Sequence, residues 1–170
     1  DGSSLEWMPQ ENILFPGAQV GLRTRIDLLG SARLAWWEIN CLGRPVNDEP
    51  FSEGYLDAAL DIHRDGHLLM TERLRIDPQS RTRRSLLNGQ PVNGTAIFSQ
   101  AQPSHLEVAQ SHIADSGLQC AGATLIDDLL VLRYLDDSTE QARKLFTQIW
   151  ALLRQPLLQR TANTPRIWNT

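Results

Sequence analysis

The stretch from Leu34 to Pro45, L-A-W-W-E-I-N-C-L-G-R-P, constrains the fold more than any other part of this chain. Strand alternation sends Leu34, Trp36, Glu38 and Asn40 to one face, and Ala35, Trp37, Ile39 and Cys41 to the other. Each face carries a tryptophan, so both are expected to be covered. A strand hidden on both sides should read as a nearly continuous apolar run, and Glu38 and Asn40 break that run. A carboxylate in such a place is costly unless it has a partner, so Glu38 demands an explanation.

At 170 residues, 41% hydrophobic and 21% charged, the chain has an ordinary globular composition and enough length for one sizeable core. Its net charge of -4 and scattered signs argue against nucleic acid as a partner. The short Arg81, Arg83 and Arg84 cluster reads as a solvated loop. Cys41 and Cys120 lie far apart in apolar runs, which predicts two buried thiols in a reducing cytoplasm, and no zinc-ligand spacing is present. No apolar stretch is long enough to span a bilayer, and no signal-peptide pattern opens the sequence. The expectation is a cytoplasmic protein without nucleic-acid or membrane partners. Because the sequence starts at Asp1 and runs at once into strand-like residues, it is expected to be a piece of a longer chain.

Short apolar runs at 5–8 and 13–15, closed by Pro16 and Gly17, predict short strands. From Val20 to Leu28 the alternation is that of a half-exposed antiparallel strand. Two further strands, 55–64 and 68–76, flank Asp65 and Gly66. A two-residue turn would set Asp61 against Met70. A three-residue loop over Asp65, Gly66 and His67 instead opposes Leu56, Ala58, Leu60 and Ile62 to Ile76, Leu74, Glu72 and Met70. That register is the expected one, and it places a second carboxylate, Glu72, on an apolar face.

The grammar changes after Ser99. Residues 103–115 have helical spacing, 118–126 and 129–135 read as a hairpin about Asp127 and Asp128, and 138–154 form the strongest helix pattern. Its apolar positions are Ala142, Leu145, Phe146, Ile149, Leu152 and Leu153, with Ser138 and Gln141 as a capping box and Pro156 just beyond its end. The predicted class is mainly β with α (α+β). Residues 1–100 form a β-rich core, and residues 101–170 form a strand, helix, hairpin, helix lobe packed on it.

For Glu38 and Glu72 two readings stand side by side. Each is neutralised inside the sheets by an arginine or by backbone hydrogen bonds, or together they form a polar path or ion site, since carboxylates ligate divalent cations. His63 and His67 flank the turn and could hold a metal weakly, although hairpin-tip histidines are commonly surface residues. His105 and His112 could share a helix face. A hydrolase built on Cys41 has no nucleophile elbow or oxyanion loop to support it, and no glycine-rich phosphate loop occurs. An enzyme is therefore not expected.

L-E-W-M-P-Q-E-N-I-L-F-P-G at 5–17, W-E-I-N-C-L-G-R-P at 37–45, L-M-T-E-R-L at 69–74 and the terminal P-R-I-W-N-T together resemble the urease accessory protein family UreD, also called UreH. The resemblance runs in order from residue 5 to the end and covers the C-terminal part of the family's sequence. It implies a fold of stacked, helically wound β-sheets with two C-terminal helices. It also implies a non-enzymatic chaperone that works with UreF and, through UreF, with UreG to deliver nickel to the urease apoprotein. On this resemblance no cofactor is expected to be held tightly, nickel(II) is expected to pass through an internal acidic passage, and the family's acidic strand positions fall on Glu38 and Glu72. A passive docking scaffold is the alternative it leaves open, and sheet edges left unpaired in a shortened chain are expected to self-associate.

Overall fold

A computed structural model describes residues 2–165, so all but the first residue of the terminal P-R-I-W-N-T motif lies outside the described residues. Its strands are β1 (Ser4–Trp7), β2 (Asn12–Leu14), β3 (Gln19–Leu28), β4 (Arg33–Arg44), β5 (Glu49–Pro50), β6 (Tyr55–Arg64), β7 (His67–Ile76), β8 (Val92–Phe98), β9 (Ala121–Ile126) and β10 (Leu129–Asp136). Two helices accompany them, α1 (Pro103–Ser116) and α2 (Thr139–Leu158). A seven-stranded sheet runs in the order β1-β4-β8-β10-β9, with β2 and β5 also pairing with β4. A three-stranded sheet, β3-β6-β7, lies against it.

The chain winds alternately between the two sheets. Strands β1 and β2 lie along β4 and parallel to it, with Leu5 beside Leu34 and Ile13 beside Cys41. The intervening β3 belongs to the small sheet and is parallel to β6. The antiparallel pairing expected for Val20–Leu28 is thus overturned, although its half-exposed alternation stands. The physical reason is the winding: β3 and β4 occupy different layers, so the same-sheet neighbour of β3 arrives one turn later and in the same direction.

β4 separates two dissimilar interiors. Ala35, Trp37, Ile39 and Cys41 join Val92, Ala96 and Phe98 of β8 under Phe146, Ile149 and Trp150 of α2. Gly94 of β8 lets α2 come this close, since a Cβ there would sit 2.9 Å from the Phe146 ring. On the other face Leu34 and Trp36 pack with Ile26, Leu60, Ile62 and Met70, while Leu42 packs with Leu56, Ala58, Phe51 and Ile76. These two apolar clusters lie on either side of Glu38 and Asn40.

The β6–β7 register is the predicted one, with Leu60 opposite Glu72, Ala58 opposite Leu74 and Asp61 opposite Thr71. The loop differs. Only Asp65 and Gly66 turn, with φ of 50° and 80°, and a bulge between Ile62 and His63 absorbs the odd residue. Two residues of positive φ make the tight turn whose twist suits a hairpin, and the bulge then restores the apolar rows.

In α2 the Ser138 hydroxyl accepts from the Gln141 N–H at 3.2 Å, as a cap should. The helix does not stop at Arg154: it runs through Pro156 to Leu158, closing with Gln159 in the left-handed region. Buried Leu157 and Leu158 hold this last turn, and proline there removes a single hydrogen bond near the end. Leu152 is 49% exposed, and Trp150 takes the buried place assigned to it. His105 and His112 act separately: the first accepts the Gln102 N–H at the start of α1, and the second pairs with Gln148 of α2.

Candidate functional site

Between the two apolar clusters of the sheet–sheet interface runs a polar cleft. Glu38 and Asn40 of β4, Asn93 and Thr95 of β8, and Thr24 and Glu72 of the small sheet line it. Its free volume of about 30 Å³ suits a water molecule or an ion and is too small for an organic substrate. Sheet register builds one wall, because Glu38 lies opposite Thr95 and Thr95 opposite Arg133, one row across three strands. Asn40 lies opposite Asn93 in the next row on the same face. Glu72 faces this wall because the hairpin register puts it on the inner side of β7, between Met70 and Leu74.

Hydrogen bonds thread the cleft. Asn12 donates to Asn40 Oδ1 at 2.9 Å, and Asn40 donates through Nδ2 to Glu38 Oε1 at 3.0 Å. Arg133 donates through Nη1 to Glu72 Oε1 at 2.6 Å and to Thr95 Oγ1 at 2.7 Å. Asn93 Oδ1 is buried and has no hydrogen-bond partner among the described residues. Side-chain exposures of 45% for Arg133 and 31% for Glu72 put that end of the cleft at solvent, whereas Asn40 is only 2% exposed.

The two carboxylates therefore differ. Glu72 has its arginine. Among the described residues no arginine or lysine pairs with Glu38, whose partner is the neutral amide of Asn40. Burial pushes Glu38 above the usual carboxylate range and the charge of Glu72 pushes it further, against the opposing Asn40 hydrogen bond. The arginine that the sequence reading allowed for is present at Glu72, whereas Glu38 has the neutral side-chain amide of Asn40 and no counter-charge among the described residues.

A family model described as "UreD urease accessory protein" matches residues 1–169. The chain belongs to the UreD family. It is 46% identical over 171 residues to a urease accessory protein UreD of Alcanivorax borkumensis, covering 99% of this chain and 58% of that one. A UreD protein of Pseudomonas paraeruginosa is 44% identical over 99% of this chain and 61% of its own length. One from Marinomonas sp. is 36% identical over the whole of this chain and 58% of its own. The chain thus spans about three-fifths of the length of the curated relatives it matches.

In this UreD-family chain the predicted site residues part company. Glu38 and Glu72 come to one cleft from opposite sheets. His63 and His67 do not join them. His63 projects from the outer face of the small sheet, with Nδ1 3.8 Å from Asp27, and His67 is exposed beside the turn. Among the described residues no group of three His, Cys, Asp or Glu side chains converges as a metal centre. Cys41 is buried, and burial, then the nearby Glu11, pushes its thiol up, opposite to what a thiolate nucleophile needs. Cys120 is only partly buried, unlike the buried thiol expected there, and burial, then a hydrogen bond to Asp136, pushes it up to about 11. No helix among the described residues is long and apolar enough to cross a membrane.

Sequence reasoning missed Arg133, Thr95 and Asn93. Leu129 and Val131 pack toward the small sheet, so alternation carries residue 133 to that face once the side they take is known.

Proposed function

We propose that this chain is the part of a urease maturation chaperone that passes nickel(II) toward the urease apoprotein. The full-length protein works in the cytoplasm with UreF, and through UreF with UreG, and itself catalyses no reaction. The observation that carries this reading is the meeting of Glu38 and Glu72 in one ion-sized polar cleft between two apolar clusters. Two carboxylates and the amide oxygen of Asn93 offer only hard oxygen ligands, and few of them. That set binds a divalent cation weakly, as a passage requires and a resident metal centre does not.

Nickel in this account is cargo. It enters at the solvent end by Glu72 and exchanges water for carboxylate oxygen, first at Glu72 and then at Glu38. The hydrogen-bonded run Glu38–Asn40–Asn12 continues the polar track to the edge of the large sheet.

The test is Glu38→Gln and Glu72→Gln in the full-length protein. Both variants are expected to fold and to co-purify with UreF and urease while nickel loading of urease falls. If both load nickel as wild type does, or if both unfold, the glutamates serve only the fold and a docking-scaffold role replaces the passage.

A further inference from the structure

Among the described residues Arg133 is the one cation hydrogen-bonded to side chains that line the cleft, those of Glu72 and Thr95. It stands in the same cross-strand row as Glu38, with Thr95 between them. Its guanidinium is held at 2.6 Å by Glu72 and at 2.7 Å by Thr95, at the solvent-facing end. We propose that Arg133 is an internal competitor for the cation, occupying Glu72 when the cleft is empty and displaced from it when a divalent ion enters. This inference rests on the passage reading and adds a residue that sets how long the cleft holds its cargo.

Electrostatics sets the competition. Glu38 and Glu72 facing one another without a counter-charge would attract a dication strongly in a site partly shielded from water. Such a pair would trap the ion. With Arg133 on Glu72, an entering dication must break a charge-assisted hydrogen bond before both carboxylates can share it, and the same guanidinium stands ready to retake Glu72 as the ion leaves. Thr95 has a defined part: its hydroxyl accepts from Arg133 and keeps the guanidinium within reach during the exchange. The large exposure of Arg133 gives it room to swing outward, which a fully buried cation would lack.

The experiment measures binding of Ni²⁺ alone, by calorimetry and stopped-flow release, in the full-length protein. Arg133→Gln is expected to bind Ni²⁺ about tenfold or more tightly than wild type and to release it more slowly. Arg133→Lys, which keeps the charge, should stay near wild type. In a Glu72→Gln background, Arg133→Gln should change affinity little, because the competition has no object. Should Arg133→Gln fail to fold, Arg133→Met, which keeps the aliphatic stem over the sheet, carries the same expectation. Folded neutral variants that bind Ni²⁺ no more tightly than wild type would overturn the proposal. The two readings fail separately: unchanged urease loading by Glu38→Gln and Glu72→Gln counts against the passage, whereas the Ni²⁺ affinities alone decide the role of Arg133.

Discussion

The two faces of the central sheet are built on different terms. Toward the helices, β4, β8 and β10 present an unbroken apolar layer closed by Phe146, Ile149 and Trp150. Toward the small sheet the same strands present two apolar clusters parted by Glu38, Asn40, Asn93, Thr95 and Arg133. A continuous apolar face is the cheaper way to join two layers, since a half-buried carboxylate with only an amide partner opposes folding. The helix face thus supplies stability, and the sheet–sheet face gives some of it up to keep a polar track. This division predicts that damage to one face is read in melting and damage to the other in nickel loading.

The largest effect belongs to the helix face. Trp37 donates its indole N–H to the Pro9 carbonyl at 3.1 Å and packs on Phe146 at 6.2 Å between ring centroids. Trp37→Ala or Phe146→Ala should cost about 3–5 kcal/mol. Thermal melting of the purified variants checks this, and a loss below about 1 kcal/mol would show that the helix face is not the stabilising one. A smaller change at the same place is Gly94→Ala. The added methyl would meet the Phe146 ring at 2.9 Å, and overpacking of this kind costs about 1–3 kcal/mol. On the opposite face of the same strand, Asn93 and Thr95 should tolerate isosteric change with far less loss of melting temperature.

Glu38→Gln sharpens the comparison by its sign. Glu38 binds its proton more tightly folded than unfolded, because burial and then Glu72 disfavour its charge. Its contribution to stability is therefore greatest below the ordinary glutamate range and is lost as pH rises through the raised folded value. The glutamine variant should match wild type at low pH and melt at an equal or higher temperature at pH 7. Melting curves of both proteins from pH 4 to 8 measure the difference, in which the opposite slopes of Asp57 and Asp61 cancel. Those outer-face carboxylates are held below their usual range: at Asp57 the Arg23 and Arg75 contacts outweigh burial, and at Asp61 the hydrogen bonds from Arg73 and Thr71 lead. A variant less stable than wild type at pH 7 would mean that Glu38 holds the fold together.

Much of this division was legible in the sequence. Alternation along Leu34–Cys41 assigned each side chain of β4 to its observed face and exposed Glu38 as the misfit. The apolar rows of β6 and β7 fixed their register and with it the position of Glu72. Alternation cannot see which layer a strand joins, so β3 was expected to pair antiparallel when the winding makes it parallel to β6. Pro156 misled for a different reason, because proline marks a helix end only where no buried residues follow, and Leu157 and Leu158 follow it. Arg133 was hidden by its setting, since one charge in an apolar strand reads as exposed until its neighbours show which way it faces.

The smallest effect concerns what delivers Glu72 to the cleft. Two devices could set the hairpin register: the Asp65-Gly66 turn or the matching of apolar rows on the inner face. The bulge between Ile62 and His63 argues for the rows, because the strands accept an irregularity near the turn to keep Leu60 opposite Glu72. Gly66→Ala separates the two. A methyl at Gly66 would meet no atom within 4 Å, so the change acts only through its φ of 80° and should cost about 1 kcal/mol. If the rows govern, the cross-strand Cα-proton contacts of the β6–β7 hairpin stay in register in NMR spectra, and Ni²⁺ binding is unchanged. If the turn governs, the register slips by one residue, Glu72 moves to the outer face near Asp61 while Arg73 turns inward, and the polar track loses one of its two carboxylates. Retained register with a slightly lower melting temperature would show that the same apolar rows that stabilise the sheet–sheet interface also deliver Glu72 to its cleft.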